Sequence, residues 1–221
     1  MDKFEAVVFD LDGTLLDTIE DLTDSVNAAL QQYSCPLKTV DQVRSYVGNG
    51  IRNLMIRCIG QGERHPEFEN IYRAFLEHYK VNCRSKTKPY DGVVRILRTL
   101  SDEGRKLAIV SNKADFAVKD LNTYYFKEFQ MVAIGERDGI ARKPAPDSVF
   151  AALRELDVPA GKAVYVGDSD VDVETARNAG IPCISVLWGF REKDVMLKCG
   201  AKYFAEDADG LLAVLKELEQ V

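Results

Sequence analysis

The stretch Phe4-Glu5-Ala6-Val7-Val8-Phe9-Asp10-Leu11-Asp12-Gly13-Thr14-Leu15-Leu16-Asp17-Thr18 decides how this 221-residue chain is read. Its apolar run, Ala6 to Phe9, is continuous and not alternating, as expected of a strand covered on both faces. The run stops at Asp10, and a second carboxylate, Asp12, follows two residues later ahead of Gly13. After a parallel strand, two acids so spaced can converge on one small volume in the crevice at the sheet's carboxyl edge. The alternative is a plain turn with Asp12-Gly13 at its tip and the acids as caps.

Short apolar runs recur outward from this stretch at Leu107–Val110, Met131–Ile134, Ala163–Val166 and Cys183–Leu187, with helical periodicity between them. One helix is expected from near Val171 to Gly180, and a last one capped by Asp209 with Leu211, Leu212, Leu215 and Leu218 on one face. The alternation predicts an α/β fold, a Rossmann-like parallel sheet with helices on both faces. Roughly a hundred residues separate the first two strands, far more than a βαβ crossover needs, so a folded insert is expected there. Ile19, Leu22, Val26, Ala29, Leu30 and Tyr33, and later Ile71, Phe75 and Tyr79, recur at helical spacing. The predicted organisation is an α/β core over 1–14 and 86–221 and a small all-helical insert over 15–85, with hinges near Leu16–Ile19 and Ser85–Pro89.

Composition narrows the function. Thirty-five acidic against 29 basic residues give a net charge of −6, which offers no footprint for a nucleic acid. The five cysteines, Cys35, Cys58, Cys83, Cys183 and Cys199, are widely spaced and lack zinc or redox spacing, so reduced thiols are expected. No apolar run approaches 18 residues and no signal-like start is seen, which predicts a cytoplasmic protein without membrane association. His65 and His78 are read as surface residues, and the basic run Lys80, Arg84, Lys86 and Lys88 is given no role.

Four segments in chain order resemble the haloacid dehalogenase superfamily: Asp10-Leu11-Asp12-Gly13-Thr14 after a strand, Val110-Ser111-Asn112, Lys143-Pro144 before a helix, and Gly167-Asp168-Ser169-Asp170-Val171-Asp172. The insert resembles that superfamily's helical cap. Tyr46-Val47-Gly48-Asn49-Gly50-Ile51-Arg52, Leu187–Arg191 and Gly200–Phe204 resemble its phosphoglycolate phosphatase branch. The resemblance implies a Mg²⁺-dependent phosphomonoester hydrolase working through an aspartyl-phosphate. Asp10 would be the nucleophile and Asp12 the acid/base. Ser111, Lys143 and main-chain N–H groups around Asn112 would hold the phosphoryl oxygens. Mg²⁺ would take oxygens from Asp10, Asp12 (main chain) and Asp168, with Asp172 as a supporting acid orienting waters or Lys143. Asp170 is left as a surface or capping residue.

An acid at Asp12 favours phosphate chemistry over carbon–halogen cleavage, because a halide needs no proton to leave. The expected substrate is a small phosphorylated metabolite, phosphoglycolate first, bound under a closing cap by Gly48, Asn49, Gly50 and Arg52, the last as a carboxylate partner. A sugar-phosphate mutase or an inorganic pyrophosphatase on the same scaffold, and a non-enzymatic phosphoacceptor signalling domain, are the alternatives. A monomer or small homo-oligomer is expected.

Overall fold

A computed structural model describes residues 4–220. The chain forms two compact units: one comprises the chain through Leu16 and again from Pro89 onward, the other Asp17–Lys88.

The first unit is built on strands β1 (Ala6–Phe9), β4 (Lys106–Ala114), β5 (Val132–Glu136), β6 (Ala163–Gly167), β7 (Cys183–Val186) and β8 (Tyr203–Ala205); β2 (Leu16–Asp17) and β3 (Lys88–Pro89) are two-residue strands where the chain crosses between units. The six strands form one sheet in the order β5-β4-β1-β6-β7-β8, and every pairing in it is parallel. This is the predicted α/β class.

Alternate residues of the central strands feed opposite faces. Val7, Phe9, Leu107, Ile109, Val164 and Val166 pack with α5 (Val93–Asp102) and α10 (Ala208–Leu218), through Ile96, Leu97, Leu211 and Leu215. Ala6, Val8, Ala108, Val110 and Tyr165 face α7 (Asp147–Leu156) and α8 (Asp170–Ala179), through Val149, Ala152, Leu153 and Ala176. Each fully buried Val, Leu, Ile or Phe contributes about 1.5–3 kcal/mol relative to exposure, so both faces hold the sheet rigid beneath its carboxyl edge.

Three sequence expectations change in this unit. β8 was not anticipated as a strand. β4 runs on through Ser111, Asn112 and Lys113 instead of ending at Val110, and all three are buried. The cap of α10 is Asp207, whose carboxylate accepts from Gly210 N–H at 2.8 Å, while Asp209 sits in the first turn and pairs with Arg95. Gly180 ends α8 in the left-handed region that glycine adopts readily.

The second unit is helical: α1 (Ile19–Gln32), α2 (Val40–Tyr46), α3 (Ile51–Cys58) and α4 (Phe68–Asn82). Leu22, Val26, Ala29 and Leu30 of α1 and Ile71, Phe75 and Tyr79 of α4 are buried, with the Phe75 and Tyr79 rings stacked at 5.5 Å. Both histidines are half-buried, His78 with Nδ1 3.0 Å from Ser25 Oγ and His65 with Nε2 4.0 Å from Cys35 Sγ. Lys86 of the basic run pairs with Asp24 at 2.7 Å.

Candidate active site

Register brings the site together. Phe9 lies opposite Ile109 on one side and Val166 on the other, so Asp10 stands level with Val110 and Gly167. Ser111 and Asp168 each follow by one residue, which places Asp10, Ser111 and Asp168 at one carboxyl edge.

Asp168 is buried and held by two donors, Thr14 Oγ1 at 3.1 Å on Oδ1 and Phe190 N–H at 2.7 Å on Oδ2. The loop that supplies Phe190 is anchored by Trp188, whose indole N–H donates to Thr14 O at 3.0 Å. Glycines line this carboxylate because nothing larger fits: a β-carbon at Gly13 or Gly189 would collide with Asp168. Gly13 also has φ +91°, a conformation other residues rarely adopt.

Asp172 is fully engaged. Its Oδ2 accepts from Ser169 N–H at 3.1 Å and Ser169 Oγ at 2.6 Å, closing a capping box at the start of α8. Its Oδ1 accepts from Lys143 Nζ at 2.7 Å and Tyr165 OH at 3.1 Å. Lys143 also approaches Asp10 Oδ1 at 2.9 Å, off the hydrogen-bonding direction, and stands 3.0 Å from Tyr165 OH. Asn112 fixes the lysine from behind, donating to Lys143 O at 3.0 Å and accepting Lys143 N–H at 2.8 Å. The side chain of Asn112 thus serves the Lys143 backbone, which leaves only main-chain groups there for a phosphoryl oxygen.

Asp12 is separate from this cluster. Both its carboxylate oxygens face Lys113 Nζ, at 2.8 and 3.0 Å. Lys113, Tyr165, Thr14, Ser169, Trp188 and Phe190 take part in the site although the sequence reading assigns them no role there.

Electrostatics show which charge the pocket suits. Burial pushes the Asp10 carboxyl up to about 7, against the pull of Lys143 and with the Asp172 charge adding to the rise. Burial likewise holds Asp168 well above the carboxylate range, reinforced by Asp172 and Asp10 and only partly opposed by Phe190 N–H and Thr14. Burial would lower the Lys143 ammonium, but Asp10 and Asp172 outweigh it and hold its pKa well above the ordinary lysine value. One carboxylate oxygen from each of Asp10, Asp168 and Asp172 lies within 4.8 Å of the others, with Lys143 as the ammonium among them. Three buried carboxyls around one ammonium, with two of them strained toward protonation, fit a hard divalent cation. With Asp172 saturated by four donors, Asp10 and Asp168 are the side chains left to hold it.

The loop predicted to bind substrate lies in the helical unit. Gly48 and Gly50 both have positive φ, at 118° and 82°. Asn53 Nδ2 donates to Asn49 O at 2.8 Å. Arg52 departs from expectation as a carboxylate partner. Its guanidinium donates to Glu63 at 2.9 Å and to Glu69, and lies over the Phe68 and Tyr72 rings at 4.9 and 5.4 Å. Two carboxylates of its own unit already match its charge.

The haloacid dehalogenase-like hydrolase family model matches residues 7–186, and the chain belongs to that family. Among relatives, a phosphoglycolate phosphatase of Mesorhizobium japonicum is 35% identical over 195 residues, covering 86% of this chain and 85% of the relative. An N-acetylmuramic acid 6-phosphate phosphatase of Pseudomonas aeruginosa is 28% identical over 215 residues, covering 96% and 95%. The crystal structure of a provisionally named phosphoglycolate phosphatase from Lactobacillus delbrueckii subsp. bulgaricus superposes with a TM-score of 0.91 at 33% identity, covering 97% and 99%. Within the family this chain is a phosphatase of the phosphoglycolate phosphatase-like branch. Among the described residues no helix is long and apolar enough to cross a membrane.

Proposed function

We propose that the chain is a Mg²⁺-dependent hydrolase of small phosphomonoesters that works through a phosphoryl group carried on Asp10. The observation behind this is the buried Asp10–Lys143–Asp172 arrangement with Asp168 beside it at the sheet edge. Mg²⁺, held by Asp10, Asp168 and the main-chain oxygen of Asp12, would neutralise the repulsion between an attacking carboxylate and an anionic ester.

Asp10 attacks phosphorus, the ester P–O bond breaks, and the leaving alkoxide takes a proton from the Asp12 carboxyl. Water then attacks the phosphorus of the aspartyl-phosphate, Asp12 takes the water's proton, and phosphate leaves with Asp10 restored. Ser111, Lys143 and main-chain N–H groups around Asn112 hold the phosphoryl oxygens, with Lys143 kept in place by Asp172, Tyr165 and Asn112.

Phosphoglycolate is the first candidate substrate, supported by the names of the relatives at about 35% identity. Selection is assigned to Gly48, Asn49 and Gly50, with Arg52 bracing that loop through Glu63 and Glu69. The near full-length likeness to an N-acetylmuramic acid 6-phosphate phosphatase supports a second reading, a sugar 6-phosphate. Phosphate release from a panel holding phosphoglycolate, sugar 6-phosphates and pyrophosphate, with Mg²⁺ and with chelator, separates them. Phosphoglycolate should rank first and chelator should abolish release. Preference for a sugar 6-phosphate would overturn the substrate while leaving the chemistry, and an isomerised sugar phosphate without free phosphate would make the protein a mutase.

A further inference from the structure

We propose that Lys113 is a positioning residue that holds the Asp12 carboxylate for proton transfer. The assignment rests on the phosphatase reading above and adds a residue to it.

β4 continues past Val110 as far as Ala114, but its register against β5 shifts between Val110 and Ala114, a bulge-like irregularity of the kind that re-aims side chains. Asn112 turns to the Lys143 backbone, while Lys113 reaches both oxygens of Asp12. The lysine side chain is 2% exposed and the aspartate 13%. An ammonium so enclosed is costly unless it faces a carboxylate, so the pairing fixes where Asp12 points.

The two buried lysines of the site divide its acids. Lys143 serves Asp10 and Asp172, and Lys113 serves Asp12. The two contacts to Lys113 pin a carboxylate that would otherwise sample several rotamers. An acid/base must lie within about 2.6–3.2 Å of the atom it serves, so such pinning matters for rate.

A leaving group that departs without a proton exposes the role. kcat/KM is measured for 4-nitrophenyl phosphate, whose leaving group needs little protonation, and for the alkyl phosphomonoester turned over fastest in the panel above. Lys113→Met should lower the alkyl value roughly 10²-fold, at the low end for acid–base catalysis, and leave the aryl value near wild type. Lys113→Arg, which keeps the charge, should recover part of the alkyl loss. In an Asp12→Asn background, Lys113→Met should cost nothing more. Lys113→Gln supplies the same comparison where the methionine variant does not fold.

Equal losses on both substrates, no loss on either, or losses that add in the Asp12→Asn background would overturn the proposal. Failure of the acid/base reading itself shows in the single Asp12→Asn variant, as a loss that does not depend on the leaving group.

Discussion

Replacing Lys143 by methionine keeps the length of the side chain and deletes its charge. The ammonium is 3% exposed and lies 2.7 Å from Asp172 Oδ1 and 2.9 Å from Asp10 Oδ1. Breaking a buried ion pair from one side costs roughly 3–5 kcal/mol, which for a protein of this size is a fall in Tm of roughly 6–20 °C. The loss should depend on pH.

Asp10 has a folded pKa already raised to about 7, so its stabilising contribution is present below the unfolded value of 3.8 and is lost as pH rises through about 7. Without Lys143 its pKa rises further, and the carboxyls can escape their mutual repulsion only by taking up protons. Lys143 itself, raised above an ordinary lysine, stays charged throughout this range. Thermal unfolding of wild type and Lys143→Met in chelator should therefore differ least near pH 5 and most near pH 8. A difference that is constant across that range, or largest at acid pH, would refute the charge balance assigned to this pocket.

Other expectations concern single contacts. Asp12→Ala should keep the fold by circular dichroism and lower kcat/KM for an alkyl phosphate roughly 10²–10⁴-fold, and wild-type rates would contradict its acid/base role. Gly189→Ala should push Asp168 out of place and raise the Mg²⁺ concentration for half-maximal activity roughly 10–100-fold, an effect that an unchanged Mg²⁺ titration would rule out. Tyr165→Phe removes a hydroxyl between Lys143 and Asp172 and should cost about 1–3 kcal/mol in urea unfolding, whereas neutrality would mean that the hydroxyl is idle.

Much of this site is visible along the chain because its acids follow strands. Asp10 ends a buried apolar run, and Asp168 follows another by one glycine, so the sheet alone carries both to one edge. Asp172 is expected through the family resemblance, whereas its capping box with Ser169 emerges only in the structure. Lys113 gives no such signal. A lysine in a polar tripeptide after a strand looks like solvated charge, and only the β1–β4 pairing reveals the carboxylate it meets.

Tyr165 is hidden for the opposite reason. Inside Ala163-Val164-Tyr165-Val166 it reads as strand filling, and its hydroxyl acquires meaning only from a lysine and an acid far away in sequence. Arg52 shows the converse: next to a glycine loop it suggests an anion site, yet Glu63 and Glu69, 11 and 17 residues later, take the charge. β8 leaves no mark in the hydropathy pattern because three residues carry too little periodicity to register.

The central claim is that the phosphoryl group rests on Asp10 during turnover. Wild type mixed with excess substrate and Mg²⁺, quenched in acid within the first turnovers and digested, should yield a phosphorylated peptide containing Asp10 by mass spectrometry. The same peptide from Asp10→Asn should carry no phosphoryl group, and that variant should release no phosphate. Phosphate release by Asp10→Asn at the wild-type rate, or a phosphoryl group found on another residue, would contradict the account.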